Sequence, residues 1–114
     1  MLTVDSLRTF GADVDEGIKR CVNNEDFYLR MVRKAVDDKS FERLQEQLAV
    51  KDLKGAFETA HALKGVWANL ALTPILTPVA EMTELLRSGT DTDYTKYLEE
   101  ISASLTELRT LATE

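Results

Sequence analysis

A single histidine, His61, occurs among the 114 residues of this chain. It sits in the stretch Phe57-Glu58-Thr59-Ala60-His61-Ala62-Leu63-Lys64-Gly65-Val66-Trp67-Ala68-Asn69-Leu70. A neutral imidazole is a nitrogen nucleophile near neutral pH. Residues three and four apart on a helix are neighbours, so Lys64 and Gly65 share a patch with His61. A phosphoryl group brings negative charge and strong acceptor oxygens, and an ammonium one turn away partly neutralises them. Glycine inside a helix costs roughly 1 kcal/mol against alanine. Close approach of a second protein to the histidine is one reason to accept that cost. Each residue also has an ordinary reading: a polar residue on a helix flank, a solvated lysine whose stem covers apolar surface, and a helix-packing contact. On the triplet alone the ordinary reading prevails. No second histidine and no suitably spaced cysteine supports a metal site.

The element that must position these residues is the helix they lie on. Leu53, Phe57, Ala60, Leu63, Trp67 and Leu70 are spaced three or four apart, which predicts one buried stripe with His61 on its flank. A rigid helix holds a nucleophile and its neighbours in more constant relation than a loop does.

The wording of the whole stretch adds to this. AHALKGVWANL resembles the H-x-L-K-G signature of histidine-containing phosphotransfer (HPt) domains. The resemblance extends to Asn69-Leu70 after the motif and to NNEDFYLRM at Asn23 to Met31, and as a succession of helices it covers nearly the whole chain. Two positions depart from it. Trp67 stands where members often have a small residue, and Ala71 where they often have glycine.

The resemblance implies a phosphorelay intermediate in two-component signalling. His61 would accept a phosphoryl group from a receiver-domain aspartyl phosphate and pass it to an aspartate on another receiver domain. Those receivers would belong to response regulators and to a hybrid sensor histidine kinase. Nε2 of His61 would be the nucleophile, Lys64 would stabilise charge on the phosphoryl oxygens, and Gly65 would let the receiver approach. No cofactor is expected in this chain; Mg2+ is expected in the partner receiver. Ala62, Ala68 and part of the Phe27-Tyr28-Met31 helix are candidates for the docking surface, with core packing the safer reading for Phe27 and Met31. Tyr28, Arg30 and Lys34 stay open. The competing class is a non-catalytic helical-bundle interaction module, for which a His61→Gln variant would still function. A lone haem or metal ligand is a weaker third.

Composition narrows the other classes. Apolar residues make up 44% and charged residues 30%, the balance of a soluble globular domain. No apolar run approaches the ~18 residues of a membrane span. The first residues lack the basic and apolar segments of a signal peptide, and Met1 favours a free-standing protein. The one cysteine, Cys21, continues the spacing of Val14 and Ile18 and reads as a small core residue in a reducing cytoplasm. A net charge of −6 without a basic stripe argues against nucleic acid, although Arg30, Arg33 and Lys34 make a local basic spot. There is no phosphate-cradling glycine-rich loop and no kinase signature, so an autonomous kinase or hydrolase is not expected.

Capping and breaking residues predict a succession of helices and no strand. The expected helices are Ser6 to Phe10, stopped by Gly11; Asp13 to about Val22, opened by a capping box; Asn24, as cap, to about Asp38; one capped by Ser40; the Asp52-capped central helix to about Leu70; one begun at Thr77; and Asp93 to Ala112. Thr77 is preferred to Thr73 because Pro78 inside a helix would lose a backbone bond. Gly11, Gly55 and Gly89 read as structural. Long helices with short connections predict an all-α, up-down antiparallel four-helix bundle with short additional N-terminal helices, one domain over residues 1–114, with no need of a second copy.

Overall fold

The computed structural model describes all residues 1–114. It contains seven helices and no strand: α1 (Val4–Phe10), α2 (Val14–Arg20), α3 (Glu25–Asp37), α4 (Ser40–Ala49), α5 (Leu53–Asn69), α6 (Thr73–Arg87) and α7 (Thr95–Thr113).

Three of the expected end signals act as read. Gly11 ends α1 with φ 112°, a left-handed conformation that suits glycine. The side chains of Asn24 and Asp52 accept the Phe27 and Gly55 amides and open α3 and α5. Asp13 accepts the Glu16 amide, but Glu16 does not reach back; it pairs with Arg20 instead. The complete capping box belongs to α1, where Thr3 and Ser6 exchange bonds. Ser40 is the first helical residue of α4 rather than its cap, and the Asp38 carboxylate takes its amide. α2 stops two residues short of Val22, which with Asn23 adopts positive φ.

The largest departure is α6. It starts at Thr73, not Thr77, and carries Pro78 inside it. Proline there removes one backbone bond. The longer helix places Ile75 as well as Val79 and Met82 in the interior, each with 0% exposure, and full burial of one such side chain contributes about 1.5–3 kcal/mol. Burying Ile75 therefore offsets the lost bond.

The bundle has four legs, one of them broken. α3 and α4 follow each other along α5, joined by only Asp38 and Lys39. Tyr28 of α3 bonds Leu70 at the far end of α5, while Gln47 of α4 bonds Thr59 nearer its start. The pair therefore runs antiparallel to α5. α6 returns beside α5, and α7 closes the bundle against α6 and α3. Arg109 of α7 clamps the break: it donates to the carbonyls of Val36 and Asp38 and pairs with Glu42 at 2.9 Å. At the opposite end Lys51 and Asp91 pair at 3.5 Å, joining two connections.

One hydrophobic cluster fills the interior, including Leu63 and Trp67 of α5, Ile75 and Met82 of α6, and Ile101 and Leu108 of α7. Cys21 belongs to it, as its spacing predicts. No helix is long and apolar enough to cross a membrane.

Candidate functional site

α5 is built to carry an exposed residue on a fixed support. Ala56, Ala60, Leu63 and Trp67 are buried along one side. Leu53 and Phe57 are half-buried at the edge. His61 is exposed, Lys64 half-buried, and Ala62, Gly65 and Val66 exposed. The three sequence-predicted site residues thus lie within one turn, on the face that the bundle leaves free.

Gly65 has no internal reason to be glycine. A Cβ built there meets nothing within 4 Å. The helix-packing explanation of Gly65 is therefore removed, whereas Gly55 is packed against Asp52 and Gln47.

The C-terminal end of α5 is held by the elements before it. The Tyr28 hydroxyl donates to the Leu70 carbonyl at 3.0 Å, the Arg20 guanidinium to Ala68 at 2.9 Å, and the Asp13 amide to Ala71 at 3.0 Å. The Leu70 carbonyl takes no backbone donor there, and the Tyr28 hydroxyl satisfies it. Burial pushes the Tyr28 hydroxyl up to about 12. Ala71 has φ 54°, which accounts for the glycine that the resemblance expects at this position. Trp67 points inward with 2% exposure, so its bulk goes into the bundle and not towards His61.

The α3 face differs from the expectation. Tyr28 is fully buried and takes no part in a surface, while Phe27 is 36% exposed. Met31 and Ala35 are half-buried beside Val66 of α5 and Leu70 just after it, lining a shallow apolar groove together with Lys34, Asp38 and Asn69. Arg30 lies over the Phe27 ring at 5.9 Å. Arg33 points elsewhere and donates to the Ala112 carbonyl of α7. Of the docking candidates, Ala62 is exposed and Ala68 half-buried.

Of three neighbours of His61, two have no forewarning in the local sequence. Phe57 stacks on the imidazole, with centroids 5.7 Å apart and planes at 19°. Arg87 of α6 lies 5.0 Å from the centre of the Phe57 ring and pairs with Glu84 at 2.9 Å. The Arg87 bond holds the Glu84 carboxyl below the usual carboxylate range, with Lys64 and His61 adding to the same field. Only the i, i+4 spacing of Phe57 and His61 hinted at any of this. No group of three or more His, Cys, Asp or Glu side chains is placed to hold a metal ion.

An accessible imidazole with cations beside it suits exchange of an anionic group with another macromolecule. Comparison with protein families agrees: the Hpt domain model matches residues 28–111. The chain belongs to the Hpt family. Hpt domains are phosphotransfer carriers that work through histidine in phosphorelays and interact with receiver domains of two-component systems. No curated protein and no solved structure matches the chain.

Proposed function

We propose that this Hpt domain is a relay intermediate in which His61 is the phosphorylated residue. It takes a phosphoryl group from an aspartyl phosphate on one receiver domain and delivers it to an aspartate on another. The Nε2 lone pair of His61 forms a P–N bond as the P–O bond to the receiver's aspartate breaks. The carboxylate leaves with the electron pair, and the Nδ1 proton stays on the ring. The onward step is the reverse reaction with a different carboxylate. Such a transfer depends mainly on positioning and on charge stabilisation.

Lys64 supplies part of that charge from one turn along α5. Gly65 gives clearance for the receiver, whose acidic pocket supplies the Mg2+. Val66, Ala62 and the Phe27–Met31 edge of α3 give the receiver apolar surface to bury, as the centre of an interface generally requires. Arg30 and Lys34 beside that edge complement an acidic partner. A cytoplasmic location and action as a monomer accord with this role.

The observation that carries the reading is the open space above Gly65 next to an exposed His61. Incubation with a phosphorylated receiver domain is expected to place an acid-labile label on the protein. His61→Gln is expected to abolish it with helical circular dichroism unchanged. Label retained in His61→Gln, or none on the wild type, would refute the assignment.

A further inference from the structure

The α6 side of His61 carries an arrangement that the transfer chemistry above leaves without a task. The imidazole and the Arg87 guanidinium both lie against the Phe57 ring, at 5.7 and 5.0 Å from its centre, so they are at most 10.7 Å apart, the sum of those distances. Arg87 donates its Nε proton to Glu84 Oε2 at 2.9 Å. The two side chains of that pair are 51% and 59% exposed. A pair so open to water is held weakly and exchanges readily.

A phosphoryl group on His61 changes the competition for Arg87. It brings more negative charge than one carboxylate and three acceptor oxygens. A guanidinium fits such oxygens through two parallel N–H bonds and can stay flat on an aromatic ring meanwhile. We propose that Arg87 is a second ligand of the phosphoryl group and that Glu84 is its place-holder. The guanidinium is paired with Glu84 while His61 is free, and moves to the phosphoryl oxygens when His61 is loaded. Phe57 is a positioning residue in this scheme: it sets the plane of the imidazole and gives the guanidinium a surface to slide on. The inference rests on the phosphotransfer reading of His61 and adds to it a charge that is masked until needed.

Arg87 also ends α6, where any cation complements the helix dipole. Arg87→Lys separates the two roles, because lysine keeps the dipole charge and loses the fork and the stacking. The full chain is loaded with phosphoramidate: the imidazole nitrogen bonds to phosphorus, the donor's P–N bond breaks, and ammonia leaves. Phosphorus NMR gives the loading rate, and the Arg87 Nε–H resonance reports its partner. The resonance is expected to shift on loading of the wild type. Loading is expected to be roughly threefold or more slower in Arg87→Lys, and faster by a similar factor in Glu84→Gln, the size of an exposed charge contact. An Arg87 resonance unmoved by loading, or an Arg87→Lys rate equal to wild type, would overturn the inference while leaving His61 as the acceptor. A wild type that cannot be loaded at all overturns the acceptor assignment, and this inference with it.

Discussion

Two helical glycines in this chain meet opposite surroundings. Gly17 of α2 is buried, and a Cβ there would collide with the Tyr28 ring and stand 2.9 Å from the Leu70 carbonyl oxygen. Gly65 of α5 is exposed, and a Cβ there meets nothing. The first glycine is explained inside the molecule: it gives Tyr28 room to reach the end of α5. The second is not, so its cost to the helix points to something that arrives from outside. An empty neighbourhood is more informative about function here than a crowded one.

Substitutions at the two positions sharpen this contrast. Gly65→Leu should leave the bundle folded and cut affinity for a receiver domain by at least roughly tenfold, since a buried clash works against the partner alone. Titration calorimetry against a receiver checks it, and an unchanged affinity removes the clearance argument. Alanine at each glycine is expected to act with opposite signs. Gly17→Ala should cost about 1–2 kcal/mol net, overpacking outweighing the better helix propensity. Gly65→Ala should gain about 0.5–1 kcal/mol from propensity alone. Urea unfolding of the two variants reads both signs, and a loss of stability at Gly65 would contradict the open space seen there.

The Tyr28 pin behind Gly17 has its own signature. The phenol titrates at about 12 in the fold because burial disfavours its anion. A group whose folded pKa is raised contributes stability that is complete below its unfolded pKa of about 10 and is lost above it. The unfolding free energy read from urea melts should therefore fall between about pH 10 and 12. Tyr28→Phe should flatten that decline while lowering stability at neutral pH by about 1 kcal/mol for the lost bond. Part of the decline remains with Tyr94, which burial also pushes up. An alkaline profile identical in the variant would show that the hydroxyl is not held as described.

Much of this was legible in the residues, because caps and periodicity are local. Asn24, Asp52 and Gly11 mark helix ends by their own hydrogen bonds or backbone preference. His61 falls on the flank of a stripe whose period alone predicts its exposure. What failed depended on distant partners. Phe27-Met31-Ala35 and Tyr28-Val32-Val36 have the same spacing, and periodicity cannot choose between them. The choice is made by the Leu70 carbonyl, 42 residues away from Tyr28, which gives the buried hydroxyl its partner. The start of α6 was obscured in the same way: Pro78 argues locally against a long helix, and the burial of Ile75 argues globally for it. Arg87 and Glu84 come to His61 across two helices, with no motif to announce them.

The family match begins at Tyr28, yet Arg20 and Asp13 hold the last carbonyls of α5. A fragment cut at the boundaries of that match would keep His61 and discard two of the three fasteners at the end of its helix. Amides from Val66 to Ala71 should then exchange with deuterium faster than in the intact chain, and the unravelling would begin one residue beyond Gly65. The two small helices at the start of the chain are in this sense a clasp for the working helix.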